Sequence, residues 1–125
     1  MGAHGKYFSE AELRCKHCKA NGMDQDFVDL LDLLRSTYNK PIKLNSAYRC
    51  PEYDKSIGGG GAHTTGRAVD IRIEGAEAVK LLGLAITMGF KGIGVQQKGE
   101  HEKRFLHLDT APTPAFPRPM IWSYA

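Results

Sequence analysis

Between Asp24 and Tyr38 the apolar residues Phe27, Val28, Leu30, Leu31, Leu34 and Tyr38 recur at spacings of three and four, with Asp26, Asp29, Asp32 and Arg35 between them. That period belongs to a helix with one buried stripe, and it predicts the main core helix. Asn39-Lys40-Pro41 stops it, because proline and the residue before it disfavour helical backbone. A second apolar stretch over 76–88, built on Ala78, Val79, Leu81, Leu82, Ala85 and Ile86, predicts another helix with Gly89 as its left-handed cap. Two short helices complete the set. Ser9 and Glu12 form a capping box whose helix ends near Cys15, and Pro51 opens a turn through Ser56.

Elsewhere the period is two. Residues 42–48, 67–73, 92–97 and 104–109 read as strands. In the second of these Ala68, Asp70 and Arg72 share one face, and Val69, Ile71 and Ile73 the other. In the last, Phe105, His107 and Asp109 lie opposite Leu106 and Leu108. With hairpin-length links in the second half, this order predicts an α+β fold, an antiparallel sheet covered on one face by helices. Asp70 and His107 then fall on the open face. The tail from Ala111 holds four of the six prolines and ends in Met120-Ile121-Trp122-Ser123-Tyr124, which predicts an extended segment packing its aromatics on the body.

Composition narrows the picture. One domain over 1–125 is expected, with 1–6 disordered or a cloning remnant, and 42% apolar and 25% charged residues are ordinary for a globular chain. A net charge of +3 suits contact with an anionic polymer but lacks the dense Lys/Arg clusters of a nucleic-acid binder. No apolar run approaches the roughly 18 residues of a membrane span, and Met1 to Ser9 shows no apolar signal region. Nucleic-acid and membrane partners are therefore not expected, and a monomer is.

The chemistry gathers at Gly58 to Asp70. Four glycines precede His63, and no Lys-Ser/Thr follows them, so the run reads as the bare lip of a cleft rather than a phosphate cradle. Thr64-Thr65-Gly66 reads as a turn. His63, Asp70 and His107 supply two imidazoles and one carboxylate, a set that zinc accepts while keeping a fourth position open. Such a metal lowers the pKa of water toward about 7 and polarises a carbonyl, as amide hydrolysis requires. Ordinary surface or core histidines are the competing reading of this triple.

Ser46-Ala47-Tyr48-Arg49, Gly58-Gly59, Ala62 through Asp70, and Phe105-Leu106-His107-Leu108-Asp109 resemble the zinc D-Ala-D-Ala carboxypeptidase family. Its pattern runs S-x-Y-R, G-G, S-x-H-x-x-G-x-A-x-D and H-x-D in the same order, and its fold is shared with the N-terminal signalling domain of hedgehog. The resemblance spans Phe8 to Trp122, and it implies a murein peptidase acting on peptidoglycan stem peptides. It implies one Zn²⁺ per chain on His63, Asp70 and His107, with Arg49 as a substrate-carboxylate clamp and Ser46 beside it. A planar guanidinium suits that task, since it makes two parallel hydrogen bonds and stays charged. Asp109 either orients a ligand or caps local backbone. Action on the wall would follow synthesis in the cytoplasm and release or another export route, as for an endolysin.

Two departures matter. Arg104 stands where some members of the family carry a glutamate as general base, and Ala62 stands where serine is frequent. Nearby substitutes for the base are His101, which titrates near neutrality, and Glu102, with solvated turn residues as the plain alternative. Without a base, the chain would be a non-catalytic cell-wall or protein binding module on the same fold. Cys15, Cys18 and Cys50 leave three roles open: free or buried thiols, a Cys50 disulfide to Cys15 or Cys18, or a second metal site.

Overall fold

The computed structural model describes residues 2–125. In chain order it contains α1 (Glu10–Leu13), α2 (Gln25–Tyr38), β1 (Lys43–Ser46), α3 (Pro51–Ser56), a 3₁₀ turn (Ala62–Thr65), β2 (Ala68–Arg72), α4 (Gly75–Thr87), β3 (Gly92–Gln96), a second 3₁₀ turn (His101–Lys103), β4 (Phe105–Asp109) and β5 (Met120–Ser123). The ends follow local chemistry. Asp24 caps α2 by accepting the Phe27 N–H at 3.0 Å, and Asn39 leaves the helix in the left-handed region at φ 62°. The capping box at Ser9 and Glu12 is formed, and Gly89 follows α4 at φ 101°.

The strands form one sheet in the order β1-β2-β4-β3-β5. On its covered face Val69, Ile71, Leu106 and Leu108 meet Val28, Leu31 and Leu34 of α2 and Leu81 and Ala85 of α4, all almost completely buried. This is an α+β layer arrangement with helices on one side. Among the described residues no helix is long and apolar enough to cross a membrane.

Four expectations need correction. The sheet is mixed: β1 to β4 pair antiparallel, but β5 runs parallel to β3. The link 110–119 brings the chain from Asp109, opposite Gly92, back to Met120, also opposite Gly92, so β5 starts at the same sheet end as β3. Residues 64–66 are not a simple turn, since His63 sits in a 3₁₀ turn bounded by Gly61 and Gly66 in the left-handed region. Val79 and Ile86 stay 74% and 56% exposed, because α4 buries only the stripe Ala78, Leu81 and Ala85. Residues 2–6 are held rather than loose: Ala3 is buried, its carbonyl accepts from Asn21 Nδ2 at 2.7 Å, and Gln25 brackets the His4 backbone.

The buried stripe of α2 sets the first expected outcome. Leu34→Ala should cost about 2–5 kcal/mol in denaturant unfolding, whereas Leu33→Ala, at a 56% exposed position, should stay within about 0.5 kcal/mol. Equal losses at the two positions would contradict the packing described.

Candidate metal centre

The register of β2 against β4 sets Asp70 directly opposite His107, both on the face away from the helices. His63 arrives from the 3₁₀ turn, which is fastened to the start of α2: the Asp24 N–H donates to the Gly66 carbonyl at 2.9 Å. Gly66 lies at φ 76°, and a Cβ there would stand 2.2 Å from the Gly22 carbonyl oxygen, so this approach requires glycine.

Hydrogen bonds fix which atom each ring turns inward. His63 Nδ1 lies 2.7 Å from the Ala47 carbonyl oxygen, an acceptor only, so Nδ1 carries the hydrogen and Nε2 offers a bare lone pair. That Nε2 stands 3.3 Å from Asp70 Oδ1. His107 Nε2 lies 2.6 Å from Asp109 Oδ2, and its Nδ1 lies 3.0 Å from the same Asp70 Oδ1. Asp109 is fully buried and accepts from Arg118 Nε and Nη2 at 2.9 and 2.8 Å and from the Ala111 N–H at 3.1 Å. Burial alone would raise its pKa, but His107 and Arg118 override that and hold it well below the usual carboxylate range. A buried, ionised Asp109 favours the hydrogen on His107 Nε2.

Three acceptors then converge, with His63, Asp70 and His107 ligand atoms all within 4.8 Å of one another and all buried. Acceptors so placed need a cation or a proton among them. Protons answer the need in part. Burial pushes His107 down, but Asp109 and Asp70 pull it above its ordinary value, and Asp70, despite its burial, is held far below the usual carboxylate range by both histidines. A metal answers it fully. The separations of 3.0 and 3.3 Å match the spacing of about 3.3 Å between ligand atoms that each lie about 2.0–2.1 Å from a tetrahedral zinc. The donor set fits zinc.

Beside the triple lies a cavity of about 430 Å³. Ile57, Gly58 to Gly60 and the aromatic residues Phe105, Phe116, Trp122 and Tyr124 line it. The Trp122 ring stands 5.1 Å from that of His107, and Tyr124 stands 5.1 Å from Phe105. Gly58 and Gly60 face open space, whereas a Cβ on Gly59 would reach within 2.1 Å of Asp54 Oδ1. Arg49 and Ser46 are also brought to the site. Arg49 donates to Ser46 Oγ at 3.0 Å, Asp54 Oδ1 at 2.9 Å and Asp70 Oδ2 at 3.1 Å.

His101 and Glu102 are not brought there. The His101 ring pairs with Glu74, the Glu102 carbonyl accepts from Arg72 Nε at 3.2 Å, and neither residue lines the cavity. Arg104 donates to the Gly99 carbonyl. The 101–103 turn precedes β4 and joins it at the Phe105 end, away from Asp109. Asp54, Phe116, Arg118, Trp122 and Tyr124 escaped the sequence reading. Only the alternation of Trp122 and Tyr124 could have marked a shared face.

The model of the family described as Peptidase M15 matches residues 6–109. No curated protein matches the chain.

Asp109→Asn should weaken zinc binding about 10–100-fold, because the partner that fixes the His107 ring loses its charge. Gly92→Ala should act in the same direction, since its Cβ would stand 2.1 Å from Asp109 Oδ1. Competition with a chromophoric chelator measures both. Zinc affinity should also fall as pH is lowered, since Asp109 and Asp70 raise the His107 pKa and the ring binds the competing proton more readily than an ordinary imidazole. A flat profile between about pH 8 and 6 would count against His107 as a ligand.

Proposed function

The chain belongs to the Peptidase M15 family, and from that premise we propose that it is a zinc-dependent peptidase cutting peptide bonds in peptidoglycan stem peptides. The observation that carries this reading is the convergence of His63 Nε2, Asp70 Oδ1 and His107 Nδ1 at the wall of a cavity wide enough for a peptide. Those three residues would hold the metal. Bound there, zinc supplies a Lewis acid that polarises a carbonyl and lowers the pKa of water toward about 7.

The chain's own groups do the rest. Asp109 holds the His107 ring with Nδ1 inward, and Ala47 does the same for His63 with Nε2 inward. Arg49 donates to Asp70 and presents its guanidinium at the cavity edge, where it clamps a substrate carboxylate. A terminal D-Ala-D-Ala, an L-Ala-D-Glu link and a diaminopimelate crosslink all offer such a carboxylate. Burial, together with the nearby Asp70 and Asp109 charges, raises the Tyr124 pKa, so its hydroxyl stays protonated at neutral pH. Lining the cavity, it is placed to donate to an oxygen that becomes negative as the carbonyl is attacked. The aromatic wall excludes water around that oxygen. The enzyme would work as a monomer, reaching the wall after release or export.

One observation favours the second reading, a binding module. The cavity lining offers no carboxylate or imidazole besides the three proposed ligands. Mass spectrometry of purified murein after incubation separates the two readings. New amine and carboxyl termini on stem peptides are expected, and unchanged muropeptides with zinc-loaded protein would leave only binding. His63→Ala should lose the metal at the cavity and, with it, cleavage. Tyr124→Phe should keep its metal and lower kcat about 10²–10³-fold.

A further inference from the structure

A second group of metal-binding side chains lies apart from the cavity. The Sγ atoms of Cys15, Cys18 and Cys50 lie within 4.8 Å of one another, and all three cysteines are free. The first two sit on a tight knuckle after α1. Cys15 donates its N–H to the Ala20 carbonyl at 2.7 Å and accepts the Lys19 N–H at 3.0 Å, while Lys19 takes a left-handed φ of 67°, uncommon for a residue with a side chain.

The Cys50 N–H donates to Cys15 Sγ at 3.4 Å, so the knuckle and the turn before α3 meet at a sulfur that is itself completely buried. Three sulfurs held this close by two separate segments present one compact set of soft donors.

We propose that Cys15, Cys18 and Cys50 bind a second, structural zinc ion, with His17 as its fourth ligand. The spacing suits such a site, a Cys-x-x-Cys pair closed by a cysteine from a separate segment. His17 Nδ1 lies 3.7 Å from Cys50 Sγ but outside the mutual 4.8 Å reach of the three sulfurs, so its ring swings inward to complete the tetrahedron. Its ring stacks on Tyr53 with centroids 5.6 Å apart and planes 6° from parallel, and its Nε2 stands 4.0 Å from Glu52 Oε1, a carboxylate able to take the outer ring hydrogen. Binding displaces the protons still held by the thiols and leaves all three sulfurs as thiolates. The ion would join the knuckle to the turn before α3. That turn carries Arg49, so the second zinc would steady the cavity's guanidinium from behind.

The test counts metal in the full chain purified under reducing conditions. Wild type should carry two zinc ions per chain, His63→Ala one, Cys15→Ser/Cys18→Ser one, and the combined variant none. Cobalt-loaded His63→Ala should show a thiolate-to-cobalt charge-transfer band, absent from the cysteine variant. Should the double serine variant fail to fold, thiol alkylation of wild type decides: zinc protects all three cysteines and a chelator exposes them. Metal-free His63→Ala, a missing charge-transfer band, or a disulfide among these cysteines in zinc-loaded protein would overturn the proposal. A wild type with one zinc that survives His63→Ala would instead uphold this site and contradict the one at the cavity.

Discussion

One line of charge-assisted contacts crosses the open face of the sheet: Arg118 to Asp109, Asp109 to His107, His107 to Asp70, Asp70 to Arg49, Arg49 to Asp54. Arginine or histidine alternates with aspartate along it, and most of its members are buried. Buried charges persist only when each is paired and hydrogen-bonded, so the line stands as a unit. Taking out any member leaves its neighbours as uncompensated charges in a poorly solvated place. The orientation of the His107 ring, and hence the position of its free lone pair, follows from this order.

The same constraint explains where the backbone comes unusually close. Gly92 opposes Asp109, Gly94 opposes His107, and a Cβ on Gly94 would approach within 2.5 Å of the Tyr124 hydroxyl and 2.7 Å of Trp122 Nε1. β3 is thus a bare strand beneath a crowded polar layer. Its hydrophobic contribution comes from Ile93 and Val95 on the opposite face, where α4 packs. One strand serves two layers because its side chains alternate and two of the three positions on the open face are glycine.

The fold was legible wherever burial imposes a period. The α2 stripe and the alternation in β2 and β4 follow directly from one-sided packing, and the α+β layers follow from them. Val79 and Ile86 misled because apolar character alone does not say which stripe of a helix finds a partner. The parallel pairing of β5 was hidden because it depends on where the link 110–119 re-enters the sheet, which no local pattern encodes. At the candidate site, His63, Asp70, His107 and Arg49 could be read from spaced motifs. Arg118 and Asp54 could not, since each matters through a partner brought near only by the fold. The proximity of His101 and Glu102 along the chain suggested a role that the direction of β4 denies them.

The tail has a consequence for the order in which the molecule is made. Arg118, Trp122 and Tyr124 leave the ribosome after every other residue at the site, and they lie beyond the residues that match the family. A nascent chain ending at Thr110 already holds His63, Asp70 and His107, yet Asp109 lacks its guanidinium and the cavity lacks a wall. In the order of synthesis His63, Asp70 and His107 therefore come first and the compartment around them last.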